Sequence, residues 1–107
     1  MAKTKLKPAD EKFLTKFLGD KLDFNSFDTE KITRKNPYSG VSCEVDPICA
    51  ACYDFVMKLY DCIQREDEVG MKKIHPSLRL TNAVQNFDRA RYIVMKLDSD
   101  AYYTLLD

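Results

Sequence analysis

The chain has 107 residues, 45% apolar and 32% charged, the size and mix of one globular domain that buries its own core. This balance excludes long disorder, and no apolar run approaches the roughly 20 residues that a membrane helix needs. Lys and Arg number 17 and Asp and Glu number 17, so the basic excess typical of a dedicated nucleic-acid binder is missing.

The charge is unevenly placed. Residues 1–35 carry nine basic and six acidic side chains, and residues 36–107 carry eight and eleven. The basic start reads as a solubilising arm, frayed over residues 1–7. No hydrophobic region follows it, so it is not read as a secretory signal, and the expected setting is cytoplasmic.

Pro8-Ala9-Asp10 opens a first helix with Phe13, Leu14, Phe17 and Leu18 as its apolar face. Gly19 is its natural stop, because glycine enters the left-handed region freely. Residues 20–30 are ambiguous: Leu22, Phe24 and Phe27 favour burial, while Asn25, Ser26 and Asp28 favour turns. Residues 31–45 read as a hairpin. Asn36-Pro37-Tyr38-Ser39-Gly40 is the turn, with Gly40 at positive φ, and Val41, Cys43 and Val45 alternate with polar residues as in a half-buried strand.

Asp46-Pro47 then starts the clearest element, a helix over 47–66. Asp46 is the expected N-cap and Pro47 the first helical residue. Ile48, Cys52, Phe55, Leu59, Cys62 and Ile63 recur at steps of three and four, opposite a charged stripe of Asp54, Lys58, Asp61 and Arg65. Asp67-Glu68-Val69-Gly70 reads as a polar break, and 71–80 as a loop or extended arm, since Pro76 disfavours helix at His75. Val84, Phe87, Ala90 or Arg91, Val94 and Leu97 predict a helix over 82–97, capped by Thr81 or Asn82. Asp98-Ser99-Asp100 caps a last short helix whose Ala101, Tyr102, Leu105 and Leu106 pack inward. The expected fold is mainly α: a single small helical domain with two longer packed helices and a short β-hairpin.

Few residues suggest chemistry. Cys49 and Cys52 form a C-x-x-C pair in the first turns of the long helix, where the dipole would lower the Cys49 pKa. One such pair supplies half of a structural zinc site. Cys62 lies ten residues beyond Cys52, about 15 Å at helical rise, too far to share a metal. Convergence of Cys43, Cys49, Cys52 and His75 is left open, and packing is the simpler role for Cys52 and Cys62. His75 has no nucleophile near it in sequence, and glycines at 19, 40 and 70 make no phosphate-cradling loop. No catalytic residue, metal ligand or cofactor is assigned. Phe87-Asp88-Arg89-Ala90-Arg91-Tyr92 is the most functional-looking surface segment, although Asp88 also has an intrahelical partner in Arg91 or Tyr92.

Asn36-Pro37-x-Ser39-Gly40, Asp46-Pro47-x-x-Ala50-x-x-Tyr53-Asp54-Phe55, Phe87-Asp88-Arg89-Ala90-Arg91-Tyr92 and Ala101-Tyr102-x-x-Leu105-Leu106-Asp107 together resemble small uncharacterised proteins of tailed bacteriophages. The resemblance covers residues 36–107. It implies a viral origin and the cytoplasm of an infected host cell, and it carries over no functional residues.

The leading expectation is a non-enzymatic protein–protein interaction module that self-associates or binds a host or virion protein. Its motive is six Tyr and six Phe in a small chain, more than such a chain easily hides, with Arg89, Arg91, Tyr92 and Tyr102 as candidate contact residues. One alternative is a nucleic-acid-binding accessory protein using the lysine-rich arm with Arg89 and Arg91. Another is a zinc-binding or redox protein built on Cys49 and Cys52. No membrane partner is expected.

Overall fold

The structure is a computed structural model in which residues 7–19 and 31–106 are described. Leu22, Phe24, Phe27 and most of the basic arm lie outside these residues. The described elements, in chain order, are α1 (Pro8–Leu18), β1 (Ile32–Lys35), β2 (Ser42–Val45), α2 (Pro47–Arg65), α3 (Glu68–Ile74), α4 (Leu80–Leu97) and α5 (Ser99–Leu105). The fold is mainly α with one two-stranded antiparallel hairpin, as expected.

The α2 helix is the hub. Ile48, Cys52, Phe55, Leu59 and Cys62 are buried as their spacing requires, and Cys49, Ala50, Tyr53 and Val56 are buried beside them. Such a helix must be covered on several sides. Along one side Phe13 and Phe17 of α1 meet Phe55, with ring centroids at 6.3 and 5.2 Å. Pro47 stands at the first turn as expected, but the Asp46 carboxylate does not cap the helix. It turns to Lys31, 3.3 Å away across the base of the hairpin, and only the Asp46 backbone carbonyl engages the helix, accepting from Ala50 N–H.

The hairpin pairs Ile32 with Val45 and Arg34 with Cys43. Asn36 builds its turn. Its Oδ1 accepts from Tyr38 and Ser39 N–H, while its buried Nδ2 donates to the Thr104 carbonyl of α5. Gly40 takes φ 78°, the left-handed conformation the turn requires. Val41, expected within the alternating strand, lies just before β2 and is exposed, its carbonyl accepting from Asn36 N–H at 2.8 Å. Tyr53 Oη donates to the Lys35 carbonyl, and Arg34 clamps Asp54 through two 2.8 Å hydrogen bonds, so the hairpin lies against α2.

The structure corrects the sequence reading between α2 and α4. Glu68–Ile74 is a helix, not an arm. Asp67 reads as a breaker, yet its carboxylate accepts from Gly70 N–H and caps α3, and the burial of Met71 holds the short helix down. Gly70 is needed for space: a Cβ there would lie 2.5 Å from Asp67 Oδ2 and 3.1 Å from Cys62 Sγ. His75 ends the helix in an extended conformation before Pro76. The fourth helix starts at Leu80, with Arg79 rather than Thr81 or Asn82 at the cap position. Asn82 still serves the start of the helix, because its Oδ1 accepts from Arg79 N–H at 2.9 Å. The buried side of α4 is Ala83, Ala90, Ile93 and Val94, while Val84 is 54% exposed. Asp98 caps α5 as expected, accepting from Ala101 N–H.

A buried carboxylate ties the first helix to the fourth. Asp10 is 4% exposed. Its Oδ1 accepts from Arg89 Nη2 at 2.8 Å and Nε at 3.2 Å, and Lys96 Nζ lies 3.5 Å from Oδ2. Burial alone would raise the Asp10 pKa, but the Arg89 hydrogen bond and the charges of Arg89 and Lys96 hold it below the usual carboxylate value.

Two stability predictions follow from these contacts. Phe55→Ala should cost about 3–5 kcal/mol in denaturant melts, whereas Lys58→Ala, on the solvated side, should cost well under about 1 kcal/mol. Equal costs would contradict the placement of the two faces. Because the folded pKa of Asp10 is depressed, its contribution is present above the unfolded value of about 3.9 and is lost as pH falls through the folded value. Asp10→Asn should therefore cost on the order of 2 kcal/mol near neutral pH and flatten the loss of stability below about pH 4. Urea melts across that range read both effects.

Candidate functional site

The hairpin turn, α2, α4 and the end of α5 enclose an open cleft of about 440 Å³. Each element places residues there for a local reason. The Asx turn at Asn36 holds Tyr38 and Ser39 over one end, and Tyr38 is 78% exposed. The core residue Val56 and, on the flank of α2 beside it, Met57 and Tyr60 line the cleft. Phe87 and Arg91, one turn apart on α4, form the opposite wall, and Leu105 and Leu106 close the floor. The Tyr60 and Phe87 rings stack at 5.7 Å with planes 31° apart. Arg91 lies 5.3 Å from the Phe87 ring centre and donates to Asp88 Oδ1 at 3.3 Å.

An apolar floor, aromatic walls and one guanidinium suit binding by burial. An apolar side chain can fill the cleft while an acceptor meets Arg91, whose fork keeps further donors beyond the one given to Asp88. The titratable groups that line the cleft are Tyr38, Tyr60 and Arg91.

The four candidate contact residues do not form one surface. Arg89 is turned to Asp10 and packs 5.6 Å from the Phe13 ring. Arg91 lies about 200° farther round the helix, at the cleft, so the two arginines diverge. Tyr92 is 49% exposed on another side of α4, with Lys96 Nζ 5.2 Å from its ring. Tyr102 is half-buried, edge-on to Tyr103 at 5.3 Å. Tyr38, Met57 and Tyr60 were not singled out by the sequence. Their only signal is position, two of them on the flank of the α2 core stripe and one inside the turn.

The cysteines sit elsewhere. All four are free thiols. A place at the helix start predicts a lowered pKa for Cys49. Instead, burial pushes its thiol up to about 12, and the Asp98 and Asp46 carboxylates add to the effect. Burial raises Cys52 as well, and its Sγ donates to the Ala90 carbonyl at 3.3 Å, knitting α2 to α4. His75 Nδ1 accepts from Ser77 N–H, and its ring packs 4.9 Å from Phe17. Among the described residues, no three His, Cys, Asp or Glu side chains gather as a metal site.

No family model, curated protein or solved structure matches the chain. Among the described residues, no helix is long and apolar enough to cross a membrane.

The thiol environments forecast an order of reaction. Half-buried Cys43 should label first with a thiol reagent at mildly alkaline pH, while Cys49 and Cys52 should label only as the protein unfolds. Mass spectrometry of partly labelled protein reads this directly, and early modification of Cys49 would contradict its burial.

Proposed function

We propose that the protein is a non-enzymatic interaction module whose cleft at Tyr38, Tyr60, Phe87 and Arg91 receives a side chain of another protein. One observation carries this reading: an open cavity of about 440 Å³ with an apolar floor, aromatic walls and a guanidinium. Tyr and Arg are the residue types that concentrate binding energy at protein interfaces, and they do so in pockets that exclude water. Together with the resemblance of residues 36–107 to small tailed-bacteriophage proteins, this describes a viral accessory protein acting in the cytoplasm of its host.

Affinity capture with the tagged chain, from cells that produce it, tests the reading. Tyr38 is exposed enough to be replaced without disturbing the core, so Tyr38→Ser should weaken capture at least about tenfold, the effect of losing one strong contact. Tyr103→Ser, outside the cleft, should leave capture intact. Retention of nucleic acid alone, fading steeply with salt, would replace this reading with an electrostatic one.

A further inference from the structure

The cleft has a neighbour along the same pair of helices. Toward the C-terminus of α2, a second cavity of about 380 Å³ is lined by Ile63, Glu66, Met71, Leu80, Ala83 and Val84. The two helices run antiparallel here: Tyr60 meets Phe87 in the first cavity, and Ile63 and Glu66 meet Leu80 and Val84 in the second. Leu80, Val84, Phe87 and Arg91 follow one another at steps of four, three and four, so they form a single stripe on α4. That stripe is about 16 Å long at helical rise. It is not the buried side of the helix. Leu80 is 47% and Val84 54% exposed, although both are apolar.

The ends of the stripe differ in charge. Arg91, which gives one hydrogen bond to Asp88, stands at one end. At the other are two acids: Glu66 lines the cavity with Leu80, and Glu68 Oε2 accepts from Leu80 N–H at 3.0 Å. Glu66 adopts φ 52°, a left-handed position that glycine would take without strain, so an exposed acid occupies a place the backbone would give to glycine. A surface that is apolar in the middle, basic at one end and acidic at the other is complementary to itself when turned through a two-fold axis. With the axis between Val84 and Phe87, Val84 would face its partner's Phe87, Leu80 would face Arg91, and Arg91 would be set toward the acidic end that carries Glu66 and Glu68.

We infer that the occupant of the stripe is a second copy of this chain, its α4 laid antiparallel on the first and an Arg91–Glu66 ion pair closing each end. This rests on the interaction reading above and names its partner. A parallel arrangement would set Arg91 against Arg91 and Glu66 against Glu66, and like charges repel.

Light scattering and sedimentation across a concentration series test the inference. The wild type should pass from monomer to dimer. Val84→Asp, at an exposed position, should weaken association at least about tenfold while keeping the helical spectrum. Arg91→Glu and Glu66→Arg should each weaken it, and the double variant, with the ion pair reversed, should recover most of the loss. Tyr92→Ser, off the stripe, should associate like wild type. A monomer at every concentration, a dimer insensitive to Val84→Asp, or a double variant no better than the singles would overturn the inference. A monomer whose capture of another protein is still lost with Tyr38→Ser overturns only the identity of the occupant and leaves the cleft as an interaction site.

Discussion

A 19-residue helix that buries Ile48, Cys49, Ala50, Cys52, Tyr53, Phe55, Val56, Leu59 and Cys62 cannot rest on one neighbour. Its apolar surface extends well beyond the single stripe of an ordinary surface helix, and leaving any large part of it wet would forfeit the main driving force for folding. The other elements take their places from this demand. Phe13 and Phe17 bring α1 onto Phe55, Tyr53 and Asp54 fasten the hairpin, Met71 tucks α3 under the end, and α4 runs antiparallel along the length. Buried Ala83 and Ala90 let α4 come close, close enough for the Cys52 thiol to reach the Ala90 carbonyl.

The elements whose signals are local were legible in the sequence. Proline after Asp46, the Asn36–Gly40 turn, Gly19 and the Asp98 cap each act within a few residues, and each is found where it was read. What depends on distant partners was not legible. Asp46 has the chemistry of a cap, but Lys31 takes its carboxylate. The α3 helix is too short to show a period, and it exists because Met71 is buried and Asp67 caps it. The stripe on α4 was read through its bulky residues, yet a closely packed helix pair buries its small ones, so Val84 faces outward and Ala83 inward. Arg89 looked like a surface cation because its partner, Asp10, is 79 positions away and no spacing rule connects them. The cleft combines residues from 36 to 106 and has no signature in any one stretch.

The same demand accounts for the stripe. Among the described residues, four elements cover α2, and where the hairpin turn and α3 stop short, cavities remain at both ends of the seam between α2 and α4. Leu80 and Val84 are exposed there and Tyr60 and Phe87 half-buried, an apolar stripe that the described elements leave partly uncovered. Arg89 and Lys96, committed to Asp10, fix α4 from its other side. The helix is therefore held in place independently of whatever covers the stripe, which is what a preorganised binding surface requires.

Native-state hydrogen exchange tests the central role of α2 most directly. If the helix is the hub, amides from Ala51 to Cys62 should exchange only by global unfolding, with the same free energy as the buried middle of α4, while α3 and the hairpin open at lower cost. Exchange of the α2 amides through cheaper, local openings, with α4 still protected, would contradict it.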